Sequence, residues 1–237
     1  MLPLVLGLSG AVGCKPSSSA PAAAVPTNAP VVAAPVTESP LPAIDLDDRA
    51  AESLAKADAL AESGQDAAAE KAYREFLTQY PDNEEAHFSL GFLLAKAGQT
   101  NDAVHHYEEA IRVLPTYSEA HNNLGNLFVR MKRFEEAIPH FQSALKSNPT
   151  NSNTYNNLGT AFAAAGKLTE AVPNFTRAAQ LNPDYAEAWF NLGNTYNNLG
   201  RWEDAVPALQ VALKLRPDLE PARRALQRAR SRLPATH

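Results

Sequence analysis

From about residue 50 to residue 219 the apolar and small positions of this chain return every 34 residues. Leu90-Gly91, Leu124-Gly125, Leu158-Gly159 and Leu192-Gly193 keep that spacing. Ala69, Ala103, Ala137, Ala171 and Ala205 keep it too, as do Ala110, Ala144, Ala178 and Ala212, and Pro81, Pro115, Pro149, Pro183 and Pro217. Larger residues hold three further positions: His87, His121, Tyr155 and Trp189; Leu94, Phe128, Phe162 and Tyr196; Tyr73, Tyr107, Phe141, Phe175 and Leu209. Inside each period the apolar residues recur at three- and four-residue steps, which predicts two amphipathic helices per unit. Gly64, Gly98, Gly166 and Gly200 fall between the two helices, with Lys132 standing in the third unit; a positive φ costs glycine little there.

The units are 50–83, 84–117, 118–151, 152–185 and 186–219, the first of them degenerate because Lys56-Ala57 replaces Leu-Gly. Residues 220–233 form one more amphipathic helix, with Ala222, Ala225, Leu226, Ala229 and Leu233 on one stripe. It is expected to cap the array, since a bare terminal unit exposes an unpaired apolar face. The conserved-spacing Gly and Ala are expected to be small so that the two backbones of a unit approach closely. Asp82, Thr116, Thr150, Asp184 and Asp218 are expected N-caps, with Glu85, Glu119 and Glu187 completing capping boxes. Pro139, Pro173 and Pro207 fall in the opening turns of the second helices, near amides that lack partners anyway.

Read together the positions give W-x2-L-G-x2-Y…A-x3-F…A…P, and residues 50–219 resemble the tetratricopeptide repeat family. That resemblance implies an all-α fold, a right-handed superhelical solenoid of antiparallel helix pairs over residues 44–237. It also implies that the first helices line a concave groove that binds a protein or peptide partner. Groove positions are those that packing does not need. One row reads Ser89, Asn123, Asn157, Asn191; its neighbours read Phe88, Asn122, Asn156, Phe190 and Phe92, Asn126, Thr160, Asn194; a fourth reads Lys96, Arg130, Ala164, Asn198. Asparagine is a poor helix-interior residue, so its return asks for a reason. Each amide offers two donors and an acceptor, enough to hold an extended peptide by its backbone. Phe88, Phe92 and Phe190 add apolar anchors. The runs Asn122-Asn123-Leu124-Gly125 and Asn156-Asn157-Leu158-Gly159 are similar to those of the O-linked N-acetylglucosamine transferase repeats. The other reading of these residues is solvated filler.

The first 43 residues follow a different pattern. Met1–Gly13 is a short apolar run, and Ala11-Val12-Gly13-Cys14 resembles the lipobox of bacterial lipoproteins, although no Lys or Arg precedes the run. The resemblance implies a lipid on Cys14, the one cysteine of the chain, and Lys15 after it implies the periplasmic face of the outer membrane. Residues 15–43 carry seven prolines among Ala, Ser and Val, too many for a helix to persist; they read as an extended tether reaching about 90 Å.

Net charge is −5, and a mildly acidic chain lacks the basic surface that nucleic acid requires. Charge is uneven: residues 50–117 are acidic, whereas Arg223, Arg224, Arg228, Arg230 and Arg232 crowd the last helix. His105, His106 and His140 have no cysteine or carboxylate set at metal-ligand spacing, so no metal is expected, and no cofactor. No nucleophile elbow, phosphate loop or HExxH occurs, so the chain is not expected to be an enzyme. The expected function is therefore a lipid-anchored envelope scaffold. The alternative is a regulatory protein related to the transferase repeats but without their catalytic domain, because fewer than twenty residues follow Leu219.

Overall fold

The structure, a computed structural model, describes residues 46–233; the predicted signal segment, Cys14 and the tether lie outside them. The described residues form helices α1 (Leu46–Glu62), α2 (Asp66–Gln79), α3 (Glu84–Lys96), α4 (Thr100–Val113), α5 (Ser118–Arg130), α6 (Phe134–Ser147), α7 (Ser152–Ala164), α8 (Leu168–Leu181), α9 (Ala186–Asn198), α10 (Trp202–Leu215) and α11 (Glu220–Arg232), with no strand among them. Consecutive helices pack antiparallel as five pairs closed by α11, the solenoid that the 34-residue period implies.

The turn inside each pair follows from its glycine. Gly64, Gly98, Gly166 and Gly200 have φ between 73° and 80°, and Lys132 holds φ 61° in the third unit. The left-handed residue folds the next amide back onto the helix: Gln99 N–H donates to Leu94 O at 2.9 Å and Arg133 N–H to Phe128 O at 2.8 Å. These six-to-one bonds satisfy carbonyls that a helix end otherwise strands.

Three local expectations are corrected. The N-caps sit one residue later, at Asn83, Tyr117, Asn151, Tyr185 and Leu219. The residue after each proline is still in the turn. Asn83 and Asn151 accept from Ala86 N–H at 2.7 Å and Thr154 N–H at 3.0 Å; the other three make no side-chain cap bond. Glu85, Glu119 and Glu187 consequently lie in the first helical turn and favour the positive end of the helix dipole instead of closing capping boxes. Pro139, Pro173 and Pro207 are sixth in their helices, past the amides that go unpaired at a helix start. Each therefore removes an interior bond, tolerable because all three are exposed and water reaches the freed carbonyl.

The third correction concerns the small residues. A Cβ on Gly91, Gly125 or Gly159 meets the ring of Tyr107, Phe141 or Phe175 at 3.0, 2.7 or 2.8 Å, and on Gly193 it meets Leu209 at 2.6 Å. The glycine is thus a seat for a large side chain of the second helix. Backbone approach is the lesser part: only Gly193 meets a backbone atom among its nearest contacts, the Ala205 carbonyl at 3.2 Å. Tyr107, Phe141, Phe175 and Leu209 are all buried by this device, while Tyr73 is buried in the first unit, where Ala57 takes the place of the glycine. At the far end Asn197, 3 % exposed, donates its side-chain N–H to Ala225 O at 2.9 Å and ties α9 to the cap α11.

Candidate peptide-binding groove

The first helices touch one another along the array, α1 to α3, α3 to α5, α5 to α7 and α7 to α9, whereas no two second helices among α2 to α10 do. The odd helices therefore make the tighter inner wall, and the even helices the splayed outer one. The groove rows expected from the sequence all lie on α3, α5, α7 and α9.

These rows divide by what they touch. Phe88 stacks in the seam between units, its ring centroid 5.8 Å from Tyr107 and 5.0 Å from Tyr117. One helix on, Asn122 Oδ1 accepts from Thr154 Oγ1 at 3.1 Å and Asn157 Nδ2 at 3.4 Å. Asn156, 8 % exposed, accepts from Asn191 Nδ2 at 2.9 Å, and Phe190 packs against the α10–α11 core. This row thus stitches neighbouring first helices together. A buried acceptor without a partner costs about 1–3 kcal/mol, so each amide of this seam requires the donor it has on the next helix.

The remaining rows are more open. Asn157 and Asn191 each spend one N–H on the seam and keep a carbonyl oxygen and a second N–H on the wall. Asn123 Nδ2 reaches the Tyr107 hydroxyl at 3.5 Å, Ser89 lies beside that of Tyr73, and Thr160 bonds back to Asn156 O at 2.9 Å. Asn194 accepts from Arg228 at 3.3 Å, and Asn198 is exposed. Phe92 is 53 % exposed. It borders a depression of about 220 Å³ lined by Ala95, Lys96, Tyr107, Asn123, Asn126, Leu127 and Arg130. Lys96 also pairs with Asp66 at 2.7 Å. Ala95, Leu127 and Tyr107 are not among the expected groove residues: Ala95 and Leu127 pack against the core beneath the hollow, and Tyr107, a core-pattern residue, reaches in from the outer helix. The spacing of Tyr107 marks it for the core and not for the wall, and that of Ala95 and Leu127 carries no signal. Apolar floor, amides and cations in one shallow hollow can hold a side chain of a bound segment and bond its backbone.

A family model described as the C-terminal tetratricopeptide-repeat domain of cilia and flagella-associated protein 70 matches residues 45–223. The chain belongs to this tetratricopeptide-repeat family. Among solved structures it is similar to YrrB, described as a TPR protein with an unusual peptide-binding site (23 % identity, 74 % of this chain and 90 % of that one, TM-score 0.69). It is also similar to MamA (21 % identity, 81 % and 100 %, TM-score 0.68) and to residues 41-end of MamA from Desulfovibrio magneticus RS-1 (20 % identity, 75 % and 97 %, TM-score 0.64). At these identities the likeness is one of fold. No curated protein matches the chain.

In a tetratricopeptide repeat the fourth position of the first helix is typically Trp, and here it shows what that residue does. Trp189 donates its indole N–H to Pro183 O at 2.9 Å. His87 and His121 make the same contact through Nε2, to Pro81 O at 2.9 Å and Pro115 O at 3.1 Å. A carbonyl only accepts, so Nε2 carries the hydrogen and Nδ1 is bare. His106 Nδ1 then donates to His87 Nδ1 at 3.0 Å, and His140 Nδ1 to His121 Nδ1 at 3.1 Å. Ring centroids 5.2 and 5.3 Å apart fit rings that meet through these nitrogens and not face to face. Burial, helped by His87 and His105, pushes His106 down to about 4. Burial, helped by His121, does the same to His140, and burial lowers His121 as well. These histidines are packing groups, and among the described residues no three His, Cys, Asp or Glu converge as metal ligands.

Proposed function

We propose that this protein is an interaction scaffold that binds an extended segment of a partner protein along its inner wall, and that a lipid on Cys14 holds it at the bacterial envelope, facing the periplasm. A tetratricopeptide solenoid is a protein-binding fold. What supports a groove reading for this one is the hollow beside Phe92, where an exposed aromatic ring adjoins the Asn126 carboxamide and that of Asn123, of which the solenoid uses one N–H. A phenylalanine this open contributes little to folding, and a ligand that covers its ring would gain the burial that the solenoid leaves unused. Amides bonded to a partner's backbone tolerate many sequences, while the hollow selects one apolar side chain.

The test begins with affinity capture from an envelope extract, followed by titration of the captured partner. Phe92→Ala, Asn123→Ala and Asn126→Ala together should weaken binding by roughly two orders of magnitude, since each lost neutral hydrogen bond is worth about 0.5–1.5 kcal/mol. Helicity should remain, because alanine favours helix over asparagine. Unchanged affinity would place the partner elsewhere. For the anchor, Cys14→Ser should move the protein from the membrane fraction to the soluble one; identical fractionation and mass would remove the lipid from the proposal.

A further inference from the structure

The two ends of the solenoid carry opposite charge. Residues 46–85, which span α1, α2 and the entry to α3, hold eleven carboxylates against four Lys or Arg, a net −7. Residues 214–232, the end of α10 and all of α11, hold seven Lys or Arg against two carboxylates, a net +5. On α11 the buried stripe Ala222, Ala225, Leu226 and Ala229 faces the array, and the arginines occupy the exposed remainder of the helix. Arg223 is engaged with Glu220 and Pro217 O, and Arg228 with Asn194. Arg224, Arg230 and Arg232 are exposed and spend nothing on the fold. On α1, Asp48, Glu52 and Glu62 are likewise exposed, and the exposed Ala51, Ala55 and Ala59 between them keep that surface low enough for a second helix to approach.

We propose that copies of this chain associate head to tail, the arginine face of α11 on one copy docking against the carboxylate face of α1 on the next. Charge complementarity singles out the second copy, because the surface that would satisfy the arginines is present on the same molecule at its other end. The solenoid already joins neighbouring elements by exposed ion pairs of this sort, Lys96 with Asp66 and Lys167 with Glu135, both at 2.7 Å. The contact is heterologous, since each copy offers one face of each kind. It therefore propagates into rows rather than stopping at a dimer. Exposed ion pairs are individually weak and screened by salt, so assembly is reversible and responds to ionic strength. A row of copies would present many identical inner walls and raise the effective concentration of grooves for a multivalent partner.

Sedimentation velocity of the purified chain over a concentration series decides it. Mass should rise with concentration at low salt and return to monomer at high salt, with at least a roughly tenfold fall in association constant as the Debye length shrinks from about 30 to 10 Å. Arg224→Glu, Arg230→Glu and Arg232→Glu together should give a monomer, as should Asp48→Lys, Glu52→Lys and Glu62→Lys together. The equimolar mixture of these two variants should assemble again, because the reversed, acidic α11 face of one then meets the reversed, basic α1 face of the other. Circular dichroism establishes that each variant is folded before mixing. A wild type that stays monomeric at low salt overturns the proposal, and so does a mixture that stays monomeric. Co-sedimentation of that monomer with anionic vesicles would assign the arginines to a lipid surface instead.

Discussion

The second and third units do with two residues what the fifth does with one. In the fifth, the Trp189 indole fills the space beside its own second helix, where Ala208 leaves room, and bonds Pro183 O. In the second and third, a smaller ring bonds the equivalent carbonyl, and His106 or His140 supplies the missing volume from the second helix. The two solutions hold the same unit junction with different liabilities. An indole has one protonation state, whereas a histidine pair works only while one facing nitrogen is bare. Two of the five units are thus built to respond to acid, and the fifth is not.

The largest effect should separate the two solutions by truncation. Trp189→Ala removes both filler and donor and should cost about 2–4 kcal/mol, given that the ring is partly exposed. His121→Ala leaves the His140 ring in place and should cost about 1–2 kcal/mol; urea unfolding measures both, and equal losses would deny that the second ring shares the work.

Acid should come next. His106 and His140 fall to about 4 in the folded chain from about 6.5 when unfolded. The unfolded state therefore binds more protons between those values. Stability present above pH 6.5 should decline as pH falls and be fully lost near pH 4. Discounted for water access, this is about 1–2 kcal/mol per pair. Hydrogen exchange at pH 5 should show α3–α6 losing protection ahead of α9–α11. Replacing His121 by Trp and His140 by Ala together, which copies the fifth unit into the third, should flatten the pH dependence of α5–α6; an unaltered profile would exclude the histidines as its source.

Packing of the glycine seats should differ in the same direction. A methyl on Gly125 meets the Phe141 ring at 2.7 Å, and a rigid ring yields only by moving its helix. On Gly193 it meets Leu209 Cγ at 2.6 Å and the Ala205 carbonyl at 3.2 Å; the leucine relieves the first by rotating about χ1, and the carbonyl has to give only a few tenths of an ångström. Gly125→Ala should lose about 1–2 kcal/mol from overpacking, and Gly193→Ala less than about 1 kcal/mol, because alanine recovers helix propensity. The smallest effect is a gain: Lys132→Gly should stabilise by about 0.5–1 kcal/mol, since φ 61° strains a side chain that glycine lacks. Melting curves resolve both.

The histidines also show why the site was less legible than the fold. Their 34-residue register marked His87 and His121 as occupants of a core position, and the structure puts them there. It did not reveal that His106 and His140 are their partners, because that contact crosses from one helix to the other at a separation of 19 residues that no periodicity advertises. The asparagine rows divide for the same reason. Asn122 and Asn123 are adjacent and chemically identical, but a rotation of about 100° per residue turns one into the seam and the other onto the wall. The N-caps slipped by one residue because Pro-Asp and Pro-Thr satisfy a turn and a cap equally well on paper, and only the backbone path distinguishes them.

What the amino-acid sequence determined alone is whatever repeats. Five copies of one pattern specify the helix pairs, their turns and their stacking, because each unit meets its neighbour through the same side chains and the pattern need be solved only once. What the tertiary structure decided is what happens where units differ or meet: which amide faces which, how a ring finds its seat on a glycine, how Asn197 reaches the Ala225 carbonyl, and that Phe92 stays open to water. Those outcomes depend on distances between helices set by every residue in the interface at once, and short-range pattern carries no record of them.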